Sequence, residues 1–239
     1  MAEAMRDLQK KRIAGEIGDT LIFVEHPEVV TIGPKAVRDG FDVKGYPTSI
    51  TDRGGGITWH GPGQLVVYPI VKWGVHEQSV RGIIERLEDW AIDALLDCGI
   101  SAYKDDSMQG AWVDGHKICS IGLSFLHWVS RHGMSINVDT PGSRVEELEG
   151  CGMKAGVHTS LARLGTIPIK TATLSTSKGL RPVCESFARS TWEGSQQNQW
   201  SGCRGFSHEQ ATEVEPGHTL ASGPRFDLPE PWLIWSNAQ

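Results

Sequence analysis

The stretch Arg53-Gly54-Gly55-Gly56-Ile57-Thr58-Trp59-His60-Gly61-Pro62-Gly63 runs directly into the apolar segment Leu65–Val71. Five glycines and a proline within eleven residues make a poor helix or strand interior, so this is a loop. A strand follows it, and whatever lies against those glycines is held firmly. Arg53, Thr58, His60 and Gln64 supply polar ends on an otherwise bare surface. Two readings stand at this point: a loop shaped to receive a ligand, and a plain connection between strands whose polar residues are solvated. The loop lacks the Gly-Lys-Ser/Thr ending of a phosphate-binding P-loop. A strand also follows where a dinucleotide-binding fingerprint requires a helix.

At 239 residues, with 39% hydrophobic and 22% charged residues, the chain has enough material for one large core. A formal charge of −6 argues against a broad non-specific nucleic-acid surface. No apolar run approaches the roughly 20 residues that a membrane-spanning helix requires. Met1–Arg12 carries Glu3 and Asp7 and no apolar core, which argues against a signal peptide. The five cysteines, Cys98, Cys119, Cys151, Cys184 and Cys203, form no C-x-x-C pair. They suggest neither a zinc site nor a disulfide framework, and a reducing compartment is expected.

Taken in order, Ala2–Ile17 reads as a helix and Leu21–Val24 as a buried strand. Val29–Ile32 is a second strand before Gly33-Pro34. From Ser79 to Cys98, Val80, Ile83, Ile84, Leu87, Trp90, Ala91, Ala94 and Leu95 recur at helical spacing, with Ser79 as N-cap and Gly99 beyond the end. Asp114-Gly115 between Ala111–Val113 and Lys117–Leu123 is a hairpin signal, and Lys117 emerges at the edge of that turn. Met134–Val138 is a further strand, Ser143–Glu149 a short acidic helix, and His158–Leu164 another helix start. Short strands with hairpin signals, interleaved with a few helices, indicate an α+β fold. Residues 1–170 form the folded domain. Residues 171–239 read as an irregular tail, apart from a helix over Val183–Ser190.

The glycine stretch, extended to Gln64-Leu65, closely resembles the signature of the lipoyl(octanoyl) transferases. Three further motifs agree in the same order. They are Glu25-His26-Pro27 with Thr31-Ile32-Gly33, then Gly115-His116-Lys117-Ile118-Cys119-Ser120-Ile121-Gly122, and then His132-Gly133-Met134-Ser135-Ile136-Asn137-Val138 followed by Cys151-Gly152 and Thr159-Ser160-Leu161. The resemblance covers roughly residues 5–165. It implies a fold shared with biotin and lipoate protein ligases, a mixed sheet flanked by helices. It also implies octanoyl transfer from acyl carrier protein, through an enzyme thioester, to a lysine of lipoyl domains in 2-oxoacid dehydrogenase complexes and glycine cleavage H protein. By the family's pattern Cys151 is the nucleophile and Lys117 its activator. Arg53, Gly54, Gly55, Gly56, Ile57, Thr58, Trp59, His60, Ser120, Ile121, Gly122, Gly133, Met134 and Ser135 would line the acyl site. No cofactor, metal, nucleic acid or membrane is implied. Trp59 departs from a smaller aromatic, Gly150 from a proline, and Ser124 from an arginine.

The chemistry is coherent without the resemblance. A cysteine thioester divides acyl transfer into two steps of similar energy. The thiolate is the attacking species, and a neighbouring ammonium favours it. The amides of Gly150 and Gly152 are candidates to face the oxyanion. Cys119, with strand-like neighbours, reads as a core thiol, and His132 as structural. An acidic carrier would require a local basic patch, for which Lys35, Lys72, Arg81 and Lys154 are the candidates. Two other readings remain: an ATP-dependent lipoate ligase on the same fold, and a non-catalytic acyl- or lipoyl-binding protein. A bacterial cytoplasm is the expected location, with a mitochondrial or plastid matrix as the alternative.

Overall fold

A computed structural model describes residues 1–106, 108–142, 144, 156–165, 211–214 and 232–236. Helix α1 (Ala2–Ala14) ends at Gly15, whose left-handed φ of 77° serves the C-cap. Strand β1 (Thr20–Val24) follows, then β2 (Val29–Ile32), the short helix α2 (Pro34–Arg38), β3 (Thr48–Ile50), β4 (Ile57–His60) and β5 (Gln64–Ile70). Helix α3 (Val80–Asp97) comes next, capped by Ser79 Oγ, which accepts from Gly82 N at 3.2 Å. Strands β6 (Tyr103–Asp105), β7 (Met108–Val113), β8 (His116–Leu126) and β9 (Val129–Asn137) complete the central run. Two more strands, β10 (Ala211–Val214) and β11 (Trp232–Ser236), come from the tail.

Eight strands form one sheet in the order β10-β11-β1-β5-β9-β8-β7-β6, and every neighbouring pair is antiparallel. A second sheet, β3-β2-β4, holds the parallel pair β2/β3, so the mixed character expected from sequence sits there. Strands β1 and β5 are buried on both faces, which is why residues 21–24 and 65–70 read as continuous apolar runs. Leu21, Phe23, Leu65 and Val67 point into one core with Ile83, Leu87, Trp90, Ala91 and Leu95 of α3. Ile22, Val24, Val66, Tyr68 and Ile70 point the other way, onto Met5 and Leu8 of α1. The period of two along each strand thus divides one apolar run between two cores. At about 1.5–3 kcal/mol per buried large aliphatic side chain, the α3 face alone fixes that helix.

Three expectations are corrected. Within the 171–239 tail, β10 and β11 are strands where irregular chain was expected, because β11 finds a partner in β1 some 200 positions earlier. The helix start expected at His158 does not form: residues 161–165 make a turn, and His158 makes a parallel bridge to Lys117. Lys117, expected at a turn edge, is only 5% exposed. The helices expected over residues 143–149 and 183–190 lie outside the described residues, apart from Arg144.

Candidate active site

The glycine loop is folded by its own arginine. Arg53 Nη2 donates to Thr31 O (2.9 Å), Thr31 Oγ1 (2.8 Å) and Gly56 O (2.8 Å), and Nη1 donates to Gly54 O (3.1 Å). Backbone bonds anchor the loop at both ends, from Gly54 N to Leu123 O (2.9 Å) and from Gly33 N to Gly56 O (2.8 Å). The approach is too close for side chains: a Cβ on Gly33 would stand 2.5 Å from Gly55 O, and one on Gly122 2.9 Å from Gly54 O. The loop is therefore seated between the end of β2 and the middle of β8. Asp52, just before it, receives His132 Nε2 at 2.8 Å and pairs with Arg131. Burial works to raise the Asp52 carboxyl, but the His132 bond and the Arg131 charge hold it below the usual carboxylate range. Ser124 Oγ takes a bond from Arg131 Nε at 3.3 Å, which gives that departure from the family pattern a local role.

Two cavities adjoin this loop and share Arg53, Thr58, Ser120 and Ile121 in their linings. The first, about 580 Å³, adds His60, Gly122, Gly133, Met134 and Ser135, together with His26, Tyr68 and the start of α1 through Met1 and Met5. The second, about 740 Å³, adds Gly54, Gly55, Gly56, Ile57 and Lys117. All the sequence-selected lining residues except Trp59 therefore face one cavity or the other. Trp59 is buried in the core of the small sheet, with Nε1 donating to Glu28 Oε1 at 3.1 Å, so its bulk does not narrow either space. Cys151 lies outside the described residues, as does Lys154. Lys35 and Arg81 line the second cavity, and Lys72 lines neither.

Lys117 is held by its backbone. Its N–H donates to Val157 O (2.7 Å), and its carbonyl accepts from Thr159 N (3.0 Å). Its ammonium stands 5.8 Å from the centre of the Trp112 ring, a cation–π contact. Cys119, two residues on, is fully buried, and burial pushes its thiol up to about 12, so it stays unreactive at neutral pH.

A polar chain that sequence reasoning did not find connects the first cavity to the segment paired with Lys117. Asn137 Nδ2 donates to the Thr159 carbonyl (3.0 Å). Asn137 Oδ1 then accepts from Gln64 Nε2 (2.9 Å), which leaves Gln64 Oε1 as acceptor for His60 Nδ1–H (2.7 Å). Because the chain starts at a carbonyl, every later donor is fixed, and His60 turns an unprotonated Nε2 toward Thr31 Oγ1 at 3.4 Å. His26, 6.2 Å away ring to ring, shares a 2.8 Å bond with the Tyr68 hydroxyl. The signal was present in sequence as Gln64 and Asn137, polar residues placed amid buried strand positions.

Burial keeps these imidazoles neutral, lowering His60 to about 3, His26 to about 4 and His158 to about 4. The folded state therefore refuses protons that the unfolded chain binds below about pH 6.5. Their contribution to stability is complete above that value and falls as pH drops toward 4, by up to about 1.4 kcal/mol per pH unit for each histidine. Thermal melts are expected to show a lower midpoint at pH 5 than at pH 7.5. A flat profile across that interval would contradict the assignment of neutral buried rings.

Comparison with known proteins places this geometry. The family described as "Lipoyl protein ligase A/B catalytic domain" matches residues 2–175. The chain is 38% identical over 193 residues to "Octanoyltransferase" of Rubrobacter xylanophilus, covering 76% of this chain and 86% of that one. It is 36% identical over 170 residues to "Octanoyltransferase" of Syntrophobacter fumaroxidans, covering 66% and 75%. Among solved structures, Ta0514, a putative lipoate protein ligase of T. acidophilum, superposes with a TM-score of 0.55 at 13% identity, covering 79% of this chain and 78% of that one. A lipoate-protein ligase A bound with ATP gives a TM-score of 0.55 at 12% identity, covering 78% and 79%. These two similarities establish the fold. No helix among the described residues is long and apolar enough to cross a membrane. The chain belongs to the lipoyl protein ligase A/B catalytic domain family.

Proposed function

We propose that the chain moves an octanoyl group from acyl carrier protein to a lysine of a lipoyl domain through a thioester on Cys151, with Lys117 as the cation that activates the thiol. The observation that carries this reading is a lysine 5% exposed, backbone-paired to Val157 and Thr159, which follow Cys151 closely in the chain, and open to a cavity floored by the glycine loop. The octanoyl tail occupies the first cavity; full burial of such a tail contributes roughly 5 kcal/mol at about 0.8 kcal/mol per methylene.

In the first step the Cys151 thiolate attacks the carbonyl of the incoming thioester. A carbon–sulfur bond to Cys151 forms, the bond to the carrier's thiol breaks, and that thiol leaves with a proton supplied from Lys117. In the second step the acceptor lysine's neutral amine attacks the acyl-enzyme, the amide forms, and the Cys151 sulfur departs. The proton shed by the amine restores the thiol–lysine pair. No nucleotide is consumed. The reaction proceeds where acyl carrier protein and lipoyl domains meet, which for a bacterial cell is the cytoplasm. Lys35, which lines the second cavity, supplies positive charge toward an acidic carrier despite the net charge of −6; Arg81, also at that cavity, is paired with Glu85.

Intact-mass spectrometry after mixing with octanoyl-acyl carrier protein tests the reading. A single octanoyl adduct that maps to Cys151 is expected without ATP. Transfer of free octanoate that requires ATP, with no adduct, would instead assign the chain to adenylate-forming ligation.

A further inference from the structure

A buried carboxylate that neither the motifs nor the family pattern singled out shares a cavity and a glycine neighbour with the lysine. Glu88 lies on the buried face of α3, four residues after Ile84 and three before Ala91, and is only 6% exposed. Its Oε1 accepts from Gly110 N at 2.8 Å. Gly110 has a φ of 130°, and a Cβ there would stand 2.8 Å from Lys117 Cε. One glycine thus touches the carboxylate on one side and the lysine stem on the other. Glu88 and Lys117 line the same cavity. Their opposing influences also meet at the Cys119 thiol, where Lys117 lowers and Glu88 raises the pKa beneath the larger effect of burial.

Resting on the reading of Lys117 as activator, we infer that Glu88 is a positioning residue for it. Through Gly110 the carboxylate holds open the space that the lysine stem occupies, and its charge keeps the buried amine protonated. Burial without a counter-charge favours the neutral amine, which neither attracts a thiolate nor supplies a proton. Glu88 is set apart from the other charged groups around this cavity by its bond to the glycine that abuts the lysine stem. His158, on the incoming segment, is neutral, and Cys119 is a neutral thiol. On α3, Arg81 pairs with Glu85 at 2.7 Å. On β6, Lys104 pairs with Asp89 at 2.7 Å; Asp105 and, just after the strand, Asp106 also line the cavity and add negative charge there. Arg53 is committed to the glycine loop, and Lys35 adds only positive charge.

Glu88→Gln tests this, because the amide still accepts from Gly110 N–H while the charge is lost. The readout is the pH profile of Cys151 acylation by octanoyl-acyl carrier protein. Losing a nearby negative charge makes the lysine deprotonate earlier and the thiol ionise earlier, so both limbs move to lower pH, by about one unit. Glu88→Asp keeps the charge and strains the Gly110 contact; it lowers the rate and leaves both limbs in place. Limbs that do not move in Glu88→Gln, or that move equally in Glu88→Asp, overturn the inference. A second measurement needs no variant: in the 15N-lysine NMR spectrum of the unsubstituted protein the Lys117 nitrogen is protonated at pH 8, and a neutral amine there overturns it. The underlying reading fails separately, if Lys117→Met acylates Cys151 at the unsubstituted rate.

Discussion

Cys151→Ala is expected to abolish octanoyl transfer and the covalent adduct together, and Lys117→Met to slow acylation of Cys151 by about a hundredfold to ten-thousandfold. The two effects differ in kind. Without the sulfur there is no acyl-enzyme, and an alanine side chain offers no other nucleophile. Without the ammonium the thiol remains, but it is then an ordinary cysteine, a few per cent ionised at neutral pH, and its departing partner has no adjacent proton source. Methionine is the informative replacement because it fills the space of the lysine stem beside Gly110 and Trp112, whereas alanine would add a cavity. The Lys117→Met loss should shrink at high pH, where the thiolate forms unaided. Stopped-flow mass sampling of the adduct checks both variants. Cys119 serves as the internal control: its thiol, pushed up to about 12, should carry no octanoyl group in any of them. An adduct that persists in Cys151→Ala, or Lys117→Met acylating as fast as the unsubstituted chain, would remove the proposed pair from the mechanism.

How much of this was legible in the sequence depended on range. Helix α3 was legible because its signals are local: a serine cap, an apolar residue every three or four positions, and a glycine after the end. The hairpin at Asp114-Gly115 was legible for the same reason, with φ of 48° and 78° at the two turn residues. The glycine loop announced itself, but its glycines were ambiguous between ligand contact and backbone approach; the Gly33–Gly55 and Gly54–Gly122 contacts show that approach explains several of them. Three features needed the third dimension. Strand β11 has no local mark of its distant partner β1. Lys117 reads as a turn residue until the 156–165 segment returns across it. Glu88 carried a usable signal, since a charge amid Ile84, Leu87 and Ala91 on one helical face demands a partner, yet the sequence does not say that the partner is Gly110 N–H.

Gly133→Ala is expected to cost more than about 4 kcal/mol and to leave little folded protein at 37 °C, whereas Gly115→Ala should cost about 1–2 kcal/mol. Both are glycines in or beside the motifs, and composition treats them alike. The backbone does not. A Cβ on Gly133 would overlap Val67 O and stand 2.6 Å from Pro69 Cδ, because His132, held at a left-handed φ of 61° and tied to Asp52, turns the chain flat against β5. Val67 at the middle of β5 and Pro69 near its end are paired to β1 through Phe23 and Leu21, so neither can retreat without opening the central sheet. A Cβ on Gly115 meets nothing within 4 Å, and its cost is only the strain of an L residue at φ 78° in an exposed turn. Urea melts of the two variants measure the difference directly. The contrast bears on the site, since Gly133 also lines the first cavity. Loss of transfer in Gly133→Ala would therefore report on the seam between β5 and β9, where Val67 pairs with Met134, and not on acyl-chain contacts. Equal melts for the two glycine variants would show that β5 yields where the packing says it cannot.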